Sequence, residues 1–395
     1  MDSLQEAPNP SSRHRHFGAV VPARPVKVRP HLDPKPWGGR RLADWGIALP
    51  EGETIGEAHL AAPEATVVSG PQRGLTLREL ALQDPGAWIG ARGLEATGGR
   101  LIFPLLVKLI DGQADLSIQV HPDDRAAAAA GLGTGKTEAY HILTAQTGSV
   151  IYLGLKPGAS ESRFAAACRL ANGSAAGLLR QIRAEEGMTI LIPAGTIHAL
   201  GAGITLYEIQ QPSNVTFRLD DWGRRDASGM PRPLHHDEGL AVLDPRSRPE
   251  PIPPVVLDAG AGPAGRLLLV ATRYFALERL ALGTNDVARI AATDSPQVLT
   301  CLFGAAILDA SGWALTMTAG ETVIVPAGTP AMFSGSIESV ILRGWVPDLE
   351  RDIIAPARMA GASETSLHRL VKSCAEPPSH ECAETTASRL PHQDH

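Results

Sequence analysis

The sequence predicts a mainly β protein of two double-sheet, jelly-roll-type barrels with a small helical insert. Short apolar runs, punctuated by Gly and Pro, follow one another through the middle of the chain. A stretch within one half, "GMTILIPAGTIHAL" (187–200), recurs loosely in the other as "GETVIVPAGTPAMF" (320–333). Each copy reads as a Gly turn, an alternating strand, a Pro-Ala-Gly-Thr turn and a second strand. Short antiparallel strands joined this way suit a double-sheet barrel.

Taken in order, residues 1–24 are polar and rich in Pro, Ser and Arg, a composition expected to be disordered. "LIFPLLVKLI" (101–110) is a dense apolar run bounded by Gly and Asp-Gly, as in a buried strand. "ADLSIQVHP" alternates and stops at Pro122, and "EAYHILTA", "SVIYLGL", "MTILIPAG" and "ITLYEIQQ" follow as short strands. "SESRFAAACRLANGSAAGLLRQIRAEEG" (160–187) has helical spacing and good helix formers, which places the insert at about 158–187. "RPLHHDEGLAVLD" (232–244) reads as a further short helix. The first barrel is expected over 25–250 and the second over 255–350. From 362 to 395 the chain is polar again. Its two Cys and several His match no zinc spacing, so this end is read as a disordered, solvated tail.

The totals exclude several classes. With 395 residues and 44% hydrophobic content the chain can bury a sizeable core. Its 36 basic residues against 42 acidic ones give a net charge of −6, unlike a nucleic-acid binder with a basic face. No run reaches the roughly 18 apolar residues of a membrane span. The start lacks the apolar core of a secretion signal. Four scattered cysteines form no disulfide framework. A soluble cytoplasmic protein acting on a small molecule is expected; oligomeric state is not legible.

The candidate chemistry sits in the first barrel. Gln119 and His121 lie two apart on a strand, so both point to the same side, near the end that Pro122 marks. Glu138 opens the strand after the Gly-rich loop, and His141, three residues on, falls on its opposite face. His198 follows the first Pro-Ala-Gly-Thr turn; the second copy has Ala331 there, so the turn itself does not require a histidine. Two imidazoles and one carboxylate, with Gln119 as a possible fourth ligand, can hold Zn²⁺ or non-haem Fe(II). Arg218 is either paired with Asp220 or Asp221 at the surface or turned inward near the metal. Lys136 and Arg218 could neutralise charge on a substrate oxygen or hold a phosphate. Lys136 also completes a near P-loop, A-x-x-x-x-G-K-T over 130–137. A P-loop needs a strand before the glycines and a helix after them. Here "DDRAAAAAGL" before is helical and "EAYHILTA" after is strand-like, so an ATP site is rejected.

Together "PWGGRRL", "FPLLVKLID", "LSIQVHPDD", "GKTEAYHIL", "IPAGTIHAL" and "VTFRLDDWGR" resemble, in this order, the type I mannose-6-phosphate isomerases, zinc-dependent enzymes of cupin fold. The resemblance covers about 25–245 closely and the second barrel loosely. It implies one Zn²⁺ per chain on Gln119, His121, Glu138 and His198, a catalytic Arg218, and a catalytic or substrate-binding Lys136. It also implies interconversion of mannose 6-phosphate and fructose 6-phosphate through a cis-enediol, with a phosphorylated sugar as the partner. The competing expectations are a non-catalytic sugar-binding cupin and an Fe(II) oxygenase. The chain departs from the family pattern at His59, where many members have Trp, and at Gly135, where longer members have His.

Overall fold

The computed structural model describes residues 23–226, 228–258 and 265–372. It contains two antiparallel double-sheet barrels. In the first, one sheet runs Thr189–Ile192, Glu138–Ala145, Ile204–Gln210, Leu106–Gly112, Glu57–Ala61 and His31–Asp33 in spatial order. The sheet facing it runs Phe217–Asp220, Ile118–Val120, His198–Leu200, Val150–Leu155 and Leu179–Arg183. The second barrel repeats this order. Thr322–Val325, Gln297–Phe303, Ser339–Trp345, Ala276–Leu282, Arg266–Ala271 and Val255–Asp258 form its large sheet, which Val26–Arg29 and Thr66–Val67 extend beyond Thr322–Val325. Val287–Ile290, Ala331–Gly335, Ala305–Ala310 and Trp313–Thr318 form the small one.

The large sheets pack back to back. Leu109, Ala139, Tyr207 and Ile209 of the first share one apolar core with Leu277, Val298 and Leu342 of the second. Successive strand residues point to opposite faces, so Lys108, Glu208 and Glu138 turn into the first barrel. Strand Leu106–Gly112 is therefore buried throughout, as a strand covered on both faces must be. Inside the first barrel, Ile110, Ile142, Ile190 and Leu206 fill one end. That leaves the other end to polar groups.

Three expectations need correction. The helical insert is shorter than 158–187: helix Glu161–Arg169 and a 3₁₀ turn, Ser174–Leu178, give way to strand Leu179–Arg183. The helix ends just before Ala171, at φ +51°; Gly173, at φ +83°, leads into the 3₁₀ turn, and the strand's alternation seats Leu179 in the core. The barrel boundary at 25 is crossed, because strand Val26–Arg29 pairs with Thr322–Val325 of the second barrel. The C-terminal tail starts later than 362: helix Glu364–Lys372 buries Leu367 and Leu370. The rest of both tails lies outside the described residues. Helices over Leu77–Gln83, Pro85–Trp88 and Gly90–Ala96 were not expected. No helix among the described residues is long and apolar enough to cross a membrane, and Cys168 and Cys301 are buried free thiols.

Candidate active site

One rung of the small sheet brings three expected residues together. Arg218 is in register with Gln119, and Gln119 with His198. Glu138 and Lys136 arrive from the opposite sheet and the loop leading into it. Helix Asp124–Ala129, capped by the Asp123 side chain on the Ala126 N–H at 2.7 Å, precedes that loop. The reversed P-loop order is thus what forms. At Gly135 a Cβ would lie 2.5 Å from the Asp123–Asp124 backbone, so this chain's loop cannot carry the histidine found in longer relatives of the resembled family.

The side chains converge. His198 Nε2 is 3.0 Å from Glu138 Oε1, and His121 Nε2 is 3.5 Å from Glu138 Oε2. His121 Nδ1 donates to the Val215 carbonyl and His198 Nδ1 to the Thr196 carbonyl, each at 2.9 Å. A carbonyl only accepts, so each Nδ1 carries a proton, and Nε2 is the ring atom each histidine turns toward Glu138. Burial, and then the Lys136 ammonium, push His121 down to about 3, so the imidazole is neutral at physiological pH. Burial works to raise Glu138, but the Lys136 ammonium beside it outweighs that and holds the carboxyl well below its usual range. Both Glu138 oxygens are fully buried without a well-directed hydrogen-bond donor. Two imidazole Nε2 atoms and an ionised, unsatisfied carboxylate form a donor set that suits a divalent metal. The Gln119 amide lies 3.3 Å from His198 Nε2. A half-turn of its amide presents the oxygen there. His141 is elsewhere, bonded to Thr189 Oγ1 at 2.9 Å, as its strand parity requires.

Lys136 is 4% exposed, with Nζ 3.0 Å from Glu138 and 3.2 Å from His121 Nε2. Arg218 is not paired with either aspartate that follows it. Its Nη1 donates to the Pro233 carbonyl at 2.9 Å, and its buried Nε has no acceptor. Asp221 is taken by Arg224 and Arg232, while Asp220 accepts from the Gly173 and Trp222 N–H groups. Gln119, Lys136 and Arg218 line a cavity of about 380 Å³. Binding pockets for small molecules span roughly 300–1,000 Å³. Lys35, Lys108, Lys136, Arg218 and Arg232 against Asp33, Glu57 and Glu208 leave its wall net positive. Larger hollows lie beside Asp244 (about 890 Å³) and in the second barrel (about 770 Å³), but neither contains a metal-ligating cluster.

Several cavity residues were not singled out from the sequence for a role. Lys108 Nζ sits 3.1 Å from Glu208 and 3.3 Å from Glu57. Burial raises Glu208 despite Lys108. His59 Nε2 donates to the Glu57 carboxylate at 2.8 Å, and the residue lines the cavity where the resembled family has Trp. The signal was available: an ionisable residue inside an otherwise apolar, central strand needs a partner or a task. Asp33, Glu57 and His59 also cluster closely. Lys35, 2.6 Å from Asp33, and Lys108 already balance that group.

No family model matches the chain. Over 233 residues it is 36% identical to the mannose-6-phosphate isomerase of Bacillus subtilis, covering 57% of this chain and 70% of that protein. Over 226 residues it is 34% identical to the mannose-6-phosphate isomerase of Streptococcus mutans, covering 56% of this chain and 68% of that protein. The crystal structure of mannose 6-phosphate isomerase from Bacillus subtilis matches the fold with a TM-score of 0.70 and 28% identity, over 81% of this chain and 99% of that one. A zinc-bound mannose 6-phosphate isomerase shares the fold at a TM-score of 0.65 and 18% identity, over 82% of this chain and 100% of that one. This is the cupin architecture of two barrels expected from the repeat. With 70% of the Bacillus protein matched at 36% identity, the chain belongs to the mannose-6-phosphate isomerase family.

Proposed function

We infer that this protein is a zinc-dependent aldose–ketose isomerase that interconverts D-mannose 6-phosphate and D-fructose 6-phosphate. The observation that carries the reading is the pair of imidazole Nε2 atoms aimed at one buried, donor-poor carboxylate, next to Gln119 and Lys136, which line a net-positive cavity. His121, Glu138, His198 and the Gln119 amide oxygen would hold one Zn²⁺ per chain. When bound, that ion supplies Lewis acidity toward the oxygens of the reacting carbons.

The remaining work belongs to the chain. The reaction moves a proton between adjacent carbons through a cis-enediol, so negative charge gathers on oxygen at the halfway point. Arg218 meets that charge with a guanidinium whose Nε has no protein acceptor. A donor already in place, in a half-buried setting, stabilises developing charge without reorganising. Lys136, held at the metal ligands, has donors to hand on a proton between the two oxygens or to fix one of them. Lys108 and Glu208 hold each other rigid across two central strands and present polar atoms to sugar hydroxyls. The positive wall favours a phosphorylated substrate over a neutral sugar.

A regulatory sugar binder would not need Lys136 and Arg218 beside the ligand set, so the enzyme reading is preferred. A coupled assay on mannose 6-phosphate tests it. Turnover that falls on chelation and returns with zinc is expected; no turnover in the zinc-loaded protein would leave the binder.

A further inference from the structure

Apart from Phe217–Asp220, each strand of the first barrel has a counterpart in the second, so the registers permit a position-by-position comparison. In the first, Gln210 faces Glu138 and Glu208 faces Lys108. In the second, Trp345 faces Gln297 and Arg343 faces Glu278. Glu57 faces Ile110, and its counterpart Arg266 faces Leu280. Glu138 therefore falls at Gln297, Lys108 at Glu278, Glu208 at Arg343 and Glu57 at Arg266. On the small sheets, His198 pairs with Gln119 as Ala331 pairs with Ile290. Two residues past Gln119, His121 falls at Ala292.

The metal ligands are gone, but the buried charges are not. Glu57–Lys108–Glu208 of the first barrel reads Arg266–Glu278–Arg343 in the second, with every sign reversed. The reversed trio is well built. Arg343 Nη1 donates to Glu278 at 2.8 Å and its Nε to Gln297 Oε1 at 2.7 Å, and Arg266 pairs with the same Glu278. Arg343 also stacks 3.9 Å over the Trp345 ring.

A cavity of about 770 Å³ opens over this trio, with Ile290, Ala292 and Ala331 in its wall where ligands would stand. Arg266, Arg289, Arg343 and Arg351 against Asp309 and Asp352 leave that wall net positive. Exposed Arg289 has no ion-pair partner among the described residues. Trp345 also lines the cavity; it is 1% exposed, and its indole N–H has no acceptor. Two donors at one cavity thus lack protein partners: the buried Trp345 indole N–H and the exposed Arg289 guanidinium.

We propose that the second-barrel cavity is a metal-independent binding site for a small phosphorylated metabolite, separate from the isomerase site. Guanidinium forks match phosphate oxygens, and the apolar wall, Met332 and Leu257 included, receives the organic part. The site is the first barrel's pocket with its charge logic inverted: fixed arginines replace the ion. It does not depend on the isomerase assignment.

Indole ¹⁵N–¹H spectra of the full, zinc-loaded chain test this, with Trp345→Phe identifying the Trp345 resonance. Inorganic phosphate and glucose 6-phosphate are the probes. The Trp345 resonance should shift saturably, and Arg289→Glu, at an exposed position that spares the fold, should weaken binding about tenfold or more while isomerase turnover stays at the wild-type rate. Tighter binding of glucose 6-phosphate marks a phosphate-ester site, and equal binding marks a site for the phosphate group alone. A Trp345 resonance unmoved by either probe at about 10 mM, or an Arg289→Glu affinity equal to wild type, overturns the proposal.

Discussion

The two barrels share a strand order and a register, yet their inward positions at the open end carry opposite charges. Glu138, His121 and His198 meet at a buried point in the first barrel, while Gln297, Ala292 and Ala331 stand there in the second. Lys108 lies between two glutamates in one and Glu278 between two arginines in the other. The deeper inward positions stay apolar in both: Ile110 and Ile142 in the first, Leu280 and Cys301 in the second. The floor of each barrel thus supplies folding energy through burial. A handful of positions at the mouth decides the chemistry, together with strand Phe217–Asp220, which only the first barrel has.

That contrast can be broken at His198. His198→Ala should remove zinc from the purified protein and lower turnover by more than about a thousandfold, read by metal analysis and the coupled assay. The aligned site in the second barrel already holds Ala331, so the change makes the first barrel resemble the second at this position.

Arg218→Ala should separate charge stabilisation from metal binding. We expect kcat to fall by about 10²–10³ with zinc content unchanged. Thermal stability should hold nearly constant, because the side chain's hydrogen bond is a single one to the Pro233 carbonyl. An equal loss of zinc would instead make Arg218 part of the ligand shell.

In the second barrel the largest effect should be on stability. Glu278→Gln leaves Arg343 buried beside an uncharged partner and should cost about 3 kcal/mol, measured by denaturant unfolding, with zinc content and kcat preserved. The smallest expected effect is its pH dependence. Burial works to raise Glu278, but Arg343 and Arg266 hold it below the ordinary 4.5. A carboxylate whose pKa is depressed on folding adds stability that is fully present above the unfolded value and is lost as pH falls through the folded one. The melting-temperature gap between wild type and Glu278→Gln should therefore be constant above pH 4.5 and narrow below it.

Strand parity made legible that Gln119 and His121 share a face and that His141 and Glu138 do not. The Pro-Ala-Gly-Thr repeat exposed both the two-barrel plan and His198 as an addition to one copy. Lys108 and Glu208 were harder, since apolar neighbours on both sides made their strands read as core. The crossing of Val26–Arg29 into the second barrel depends on a pairing nearly 300 residues away, which no local pattern reports. The helix at Leu77–Gln83 did carry a local sign: Thr76 and Glu79 form a capping box. Strand Leu179–Arg183 was hidden by good helix formers, and pairing with Val150–Leu155 overrode their propensity.

The isomerase reading rests on one buried metal site in the first barrel. Its most direct test measures mannose 6-phosphate turnover and zinc per chain on the same samples, before chelation, after chelation and after zinc is restored. One zinc per chain, activity that falls with the metal and activity that returns with it are predicted. Full turnover in protein stripped of metal, or zinc at one per chain without turnover, would contradict the account.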